Sequence, residues 1–304
     1  MKADAVFEGG GVRGIAFVGA IEVFEQAGYE WDRIAGTSAG AIVAALLASG
    51  YRADELKRIM FELDYAGLLG RSWLNRIPLA GPLLSVLFRL GIFKNDVLER
   101  WIAKLLHAKG VDTFADLPDN KLKIIASDVS SGKMIVLPDD LKQYGHTPQS
   151  CTIASAVRMS TTIPYFYQPY KWKPAKKKKP HYVLDGGLLS NFPIWIFDVP
   201  GKPRWPTFGL RLSEQKSLAK PYKIGGPITL FTAIFSTMLR AHDKRHVDQH
   251  TEKRTVFIPT EEVSSIQFDL AEEDKMYLYE SGKTSAQSFL TTWSFDNYVR
   301  SFRM

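Results

Sequence analysis

Residues 3–14, Ala3-Asp4-Ala5-Val6-Phe7-Glu8-Gly9-Gly10-Gly11-Val12-Arg13-Gly14, decide how this chain is read. Ala3 to Phe7 is a short apolar run of strand length, and it enters the glycines without a break. From Ile15 to Ala27 apolar residues recur at helical spacing until Gly28 ends the pattern. A second short strand, Arg33 to Ala35, meets Gly36-Thr37-Ser38-Ala39-Gly40. The small apolar segment Ala41 to Leu47 follows as a buried helix, stopped near Gly50. Strand, glycine loop, helix, strand, tight turn and helix predict an α/β protein with a mostly parallel sheet flanked by helices.

Further along the chain the same alternation continues. Residues 52–64 and 95–107 carry amphipathic helical patterns, with the strongly apolar stretch Leu79 to Phe93 between them. Leu122 to Asp128 reads as a core strand and Met134 to Leu137 as its hairpin partner, while Ile153 to Met159 reads as helix. Tyr182 to Leu184, Phe208 to Leu212 and Val256 to Ile258 are further strands, and helices are expected at about 228–250 and 271–291. Lys176 to Lys179, between two prolines, reads as a solvated loop tip. With no internal repeat and no linker, residues 1–304 are expected to form one domain. Its motif-bearing core is residues 3–212, and the strand and helices at about 213–304 pack on that core.

Composition excludes disordered and fibrous classes: 45% of the 304 residues are hydrophobic and 23% charged. An excess of 39 Lys and Arg over 32 Asp and Glu gives a formal charge of +7. That charge suits anionic partners, phospholipid headgroups or nucleic acid, without choosing between them. Cys151 is the sole cysteine, so no intrachain disulfide supports the fold, and it reads as a packing residue. The N-terminus has no apolar signal-peptide run, and no apolar segment is long enough to span a bilayer. A soluble, cytoplasmic or peripheral-membrane protein is expected.

Three segments could carry chemistry. Gly36-Thr37-Ser38-Ala39-Gly40 matches G-x-S-x-G between a strand and a helix, where a serine is held on a sharp turn at a helix N-terminus. A plain glycine-rich turn capped by serine has the same sequence. Gly9 to Gly14 leaves backbone N–H groups able to converge on a developing oxyanion. It also satisfies the dinucleotide fingerprint G-x-G-x-x-G, with Glu30 or Asp32 near the position of the acidic residue. Asp185-Gly186-Gly187 follows a strand, and an Asp at the C-terminal end of a strand in a parallel sheet lies where sites form. Asp-Gly is, however, also a common turn.

Taken together, GGGVRG, GTSAG and DGG resemble the patatin-like phospholipases in order and spacing. The stretch Ala154 to Pro164 is similar to that family's small-residue segment before the aspartate. The resemblance covers residues 3–193. It implies a patatin-like three-layer fold, Ser38 as acylated nucleophile, Asp185 as general base, and an oxyanion hole from the Gly10, Gly11 and Val12 N–H groups. Gly9, Arg13, Gly14, Gly36, Gly40, Gly186 and Gly187 support these motifs, with no defined role for Arg13. It further implies a phospholipid or other long-chain acyl ester as substrate, no metal, no cofactor and no nucleic acid. The Lys-rich insertion between Ile163 and Leu184 departs from the family pattern without touching the two reactive positions.

A Ser-acid-His triad is not excluded by chain order, since His242, His246 and His250 follow Asp185. Their spacing of four among charged residues reads instead as one solvated helix face, and no Cys or Glu motif completes a zinc shell there. His107, His146 and His181 have no motif context. Leu79 to Phe93, with Trp73, suits an acyl groove or membrane-facing cap, and equally two short core helices. A nucleotide-binding protein, or a membrane-binding effector with little turnover, are the competing classes.

Overall fold

The computed structural model describes residues 1–70, 80–175, 179–213, 249–260, 263–265 and 267–301, with 224–226, 233–234 and 237. Trp73, Leu79, Lys176–Lys178, His242 and His246 lie outside the described residues, as does nearly all of the helix expected at 228–250.

The opening pattern folds as read. β1 (Lys2–Phe7) leads through the glycine loop into α1 (Ile15–Gln26), and β2 (Glu30–Thr37) turns into α2 (Ala39–Ala48). β1 and β2 pair in parallel with Phe7 opposite Gly36, so the glycine loop and the serine turn leave the sheet side by side. β9 (Thr207–Ser213) pairs with the other edge of β1, and β10 (Thr255–Pro259) lies outside β9. β4 (Leu122–Asp128) runs parallel to β2 and completes five parallel strands in the order β10, β9, β1, β2, β4.

Beyond β4 the sheet becomes antiparallel. β5 (Lys133–Leu137) returns as a hairpin along one edge of β4, over Ile124–Asp128. Since each strand has two edges, β2 and β8 (His181–Asp185) must share the other one. β2 holds Leu122–Ile125 and β8 holds Ala126–Asp128, running in the opposite direction. β7 (Tyr170–Trp172) pairs antiparallel outside β8. The expectation that Asp185 ends a parallel strand is therefore corrected. β7 and β8 form an antiparallel pair, and β8 brings Asp185 toward Ser38 from the opposite direction along the edge of β4 that it shares with β2.

Strand alternation decides what covers each face. Phe7 meets Phe17 of α1 with ring centroids 5.5 Å apart, and Ala5 and Ile34 join that core. Val6 and Ala35 point the other way, against Phe192, Ile194 and Phe197. α1 is apolar nearly all round and is buried accordingly. The long C-terminal helix Glu272–Thr292 crosses it at backbone contact. A Cβ at Gly19 would lie 2.0 Å from the Tyr279 carbonyl, and one at Gly282 would lie 1.9 Å from that of Ala16.

The amphipathic readings near 52–64 and 95–107 correspond to α3 (Ala53–Glu62) and α5 (Asp96–Ala108). The apolar stretch before α5 forms one helix, α4 (Ala80–Arg89), and a short strand, β3 (Gly91–Phe93), in place of two core helices. Glycine and a left-handed Leu90 break the helix there. The Ser85 hydroxyl donates to the Gly91 carbonyl at 2.7 Å, tying α4 to β3, and β3 pairs with β6 (Tyr165–Tyr167). Leu87, Phe88, Leu90 and Tyr165 stay exposed, Phe88 at 79%. Among the described residues, no helix is long and apolar enough to cross a membrane.

Candidate active site

Ser38 stands between the last residue of β2 and the first of α2, at φ 52° and ψ −122°. This is a costly backbone for a residue with a side chain, roughly 1–3 kcal/mol, and it turns the hydroxyl out of the chain path. The flanking glycines make the turn possible by close packing. A Cβ on Gly36 would meet the Gly40 carbonyl at 2.2 Å, and one on Gly40 would meet the Phe7 carbonyl at 2.4 Å. The Ser38 N–H donates to the hydroxyl of Ser160 at 2.8 Å, the fully buried last residue of α6 (Ile153–Ser160).

The shared edge of β4 explains how Asp185 reaches this turn. Thr37 sits opposite Ile125 and Asp185 opposite Ala126, so β2 and β8 end head to head on neighbouring positions. There the Ser38 hydroxyl donates to Asp185 Oδ2 at 2.7 Å. The other carboxylate oxygen accepts the Gly187 N–H at 2.8 Å, and the Asp185 N–H donates to the Thr162 carbonyl at 2.8 Å. Ser38 is 7% exposed and Asp185 2%. Burial pushes the Asp185 carboxyl up to about 7, against the opposing pull of the Ser38 hydroxyl and the Gly187 N–H.

The glycine loop adjoins the serine: a Cβ on Gly9 would lie 3.2 Å from Ser38 Cβ. Gly9 donates its N–H to the Asn191 carbonyl at 3.1 Å, and Gly11–Gly14 form a 3-10 turn into α1. Among the described residues, the N–H groups of Gly10 and Gly11 meet no acceptor. The Val12 N–H is different. It donates to the Ser265 carbonyl at 3.1 Å, so two of the three expected donors are open and the third is engaged. Arg13 Nε donates to the Gly10 carbonyl at 3.2 Å and Nη1 to Thr260 Oγ1 at 3.3 Å, tying the loop to the end of β10. Gly186 and Gly187 open a short turn after Asp185, against β4.

No histidine among the described residues contacts Ser38 or Asp185. His181 lies at the opposite end of β8, with Nδ1 2.7 Å from Asp128. Burial pushes the Asp128 carboxyl up, but hydrogen bonds from Ser131, His181 and Tyr144 hold it below its ordinary value. Burial pushes the Cys151 thiol up to about 11, in keeping with a packing role. Among the described residues no group of three His, Cys, Asp or Glu side chains could hold a metal. Glu30 and Asp32 lie at the start of β2, and Lys2 pairs with Asp32, so both acids are a strand's length from the glycine loop. The dinucleotide reading requires an acid at the opposite end of that strand.

A serine on a strand-turn-helix elbow, a buried carboxylate in hydrogen-bond contact and an adjoining glycine loop define an α/β protein of the serine-elbow class. The chain belongs to the patatin-like phospholipase family, whose model matches residues 5–198, and at the level of that family it is a lipid hydrolase. It is 44% identical over 296 residues to the uncharacterized protein YqhO of Bacillus subtilis, covering 97% of this chain and all of that one. Lysophospholipase nte1 of Aspergillus fumigatus is 40% identical over 94 residues, which are 30% of this chain and 6% of that protein. Among solved structures, VipD of Legionella pneumophila aligns with a TM-score of 0.58 and 19% identity, over 96% of this chain and 67% of its own. That last likeness concerns the fold alone.

Proposed function

We propose that the chain hydrolyses carboxylic esters of phospholipids or related long-chain lipids through an acyl-enzyme on Ser38, with Asp185 as the base and no metal. The observation that carries this reading is the 2.7 Å hydrogen bond from the Ser38 hydroxyl to a carboxylate whose pKa burial has brought to about 7. A base of that strength is half charged at neutral pH and is already in contact with the proton it must take. Ser38 attacks the ester carbonyl as Asp185 takes its proton, and the N–H groups of Gly10 and Gly11 hold the oxyanion. The alcohol leaves with the proton, and water repeats the sequence to release the fatty acid.

The family and the nte1 match support the substrate class. The exposed apolar edge adds a second support. Tyr165 begins three residues after Thr162, which accepts the Asp185 N–H, while exposed Leu189 follows Asp185 by four. Exposed apolar side chains thus follow closely in the chain on two segments that hold Asp185, which supports this edge as the one that meets a lipid surface.

Labelling with a fluorophosphonate probe tests the chemistry. Wild type should label and hydrolyse phospholipid. Ser38→Ala should do neither, and Asp185→Asn should label at least 100-fold more slowly. A folded wild type that neither labels nor hydrolyses lipid, yet binds vesicles, would instead identify a lipid-binding protein.

A further inference from the structure

We infer that Asn191 is a positioning residue for the oxyanion site and that, together with Arg13, it aims the two open N–H groups of the glycine loop. This rests on the hydrolase reading above. In a planar trans peptide the C=O and N–H point in opposite directions, so whatever grips the carbonyl sets the direction of the N–H. The Gly10 N–H shares its peptide with the Gly9 carbonyl, and the Gly11 N–H shares its peptide with the Gly10 carbonyl. Asn191 Nδ2 donates to the Gly9 carbonyl at 3.4 Å, while Arg13 donates to the Gly10 carbonyl from Nε at 3.2 Å and from its backbone N–H at 3.4 Å. Each open donor therefore has its own clamp on the far side of its peptide.

Asn191 holds Gly9 from both ends, because its backbone carbonyl also accepts the Gly9 N–H at 3.1 Å. Its side chain is held in turn. Nδ2 also donates to Glu8 Oε1 at 3.4 Å, and Glu8 accepts the Leu212 N–H at 2.6 Å and pairs with Arg211 at 3.3 Å. Glu8 and Asn191 are both buried. Glycines rotate more freely than any other residue, so a loop of three holds a fixed direction only if its neighbours impose one. One short segment, residues 185–191, carries the base at its start and this clamp at its end. Thr37, next to the nucleophile, donates its hydroxyl to the Ser190 carbonyl at 3.1 Å and ties that segment to the elbow.

The test is steady-state kinetics of Asn191→Ala and Arg13→Met on a soluble ester, beside the affinity of a trifluoromethyl ketone that mimics the tetrahedral adduct. Each variant should lose roughly 10- to 100-fold in kcat with KM changed less than twofold, and ketone affinity should fall in step. The pH midpoint of kcat should not move, because neither residue touches Asp185. Arg13→Lys, which keeps a donor, should recover most of the loss. Unchanged kcat and ketone affinity in folded Asn191→Ala would overturn the assignment while leaving a labelled wild type and the dyad intact. So would a loss accompanied by a shifted pH midpoint. If Asn191→Ala does not fold, the same readouts on Arg13→Met and Arg13→Lys decide the clamp principle. A folded wild type that shows no serine labelling overturns the clamp together with the hydrolase reading.

Discussion

At the scale of single residues the site is a balance between strain and burial. Ser38 keeps a left-handed backbone because the first turn of α2 packs on the ends of β1 and β2, and Asp185 keeps an unfavourable charge because β8 ends inside the protein. The second cost has a sign that can be measured. With a folded pKa of about 7 and an unfolded value near 4, Asp185 binds more protons folded than unfolded between those limits. Its contribution to stability therefore falls as pH rises from about 4 to about 7 and is level above that, on the order of a few kcal/mol in all. Urea unfolding of wild type and Asp185→Asn at pH 5 and pH 8 should show the variant gaining relative to wild type at the higher pH. Activity runs the other way, since the base must be charged: kcat should rise through a midpoint near 7 and then plateau. An opposite trend in the unfolding comparison would mean that the carboxylate is stabilised as an anion. Ser38, Asp185 and the glycines were legible in the sequence because their spacing is local to three short motifs. The roles of Ser160 and Asn191 were not, because their partners lie 122 and 182 residues away and nothing local in the sequence names those partners.

Among elements, the sequence carried the parallel half of the sheet and misassigned the direction of β8. A buried strand has the same apolar run in either direction, and only its pairing with β4 and β7 shows that it runs toward Ser38 from the opposite side. The apolar stretch ending at Phe93 was ambiguous for a related reason: hydrophobicity alone does not separate buried core from exposed apolar surface. The structure separates them. Ser85 is buried and tied to β3, whereas Leu87 and Phe88 are 63% and 79% exposed. Replacing both with serine removes no core contact, so thermal stability should stay within about 0.5 kcal/mol of wild type. Hydrolysis of a soluble short-chain ester should be unchanged, while hydrolysis of phospholipid in vesicles should fall at least tenfold, with a matching loss in vesicle co-sedimentation. Equal losses on both substrates would place these side chains in the acyl pocket, and no loss on either would remove the edge from lipid contact.

At the scale of the whole molecule, residues beyond the 5–198 family match complete the site from outside it. Arg13 reaches Thr260, Val12 donates to the Ser265 carbonyl, and β9 and β10 extend the sheet beside the glycine loop. The helix Glu272–Thr292 then lies across α1, which begins directly after that loop. We propose that the chain unfolds as one domain, with the C-terminal third inseparable from the catalytic motifs. The glycine crossing offers a distant and specific test. Gly282→Leu forces a side chain toward the Ala16 carbonyl, where even a Cβ would lie 1.9 Å away. The helices must separate or shift, at a cost of about 3 kcal/mol. If the molecule is one cooperative unit, Tm should drop by several degrees, and fluorophosphonate reactivity and near-UV circular dichroism should be lost together in a single transition. A variant that loses the signal of the C-terminal helix while Ser38 still labels at the wild-type rate would show the third to be a separate unit. The coincidence of the two melting curves therefore tests the connection between α1 and the glycine loop, on which the geometry at Ser38 depends.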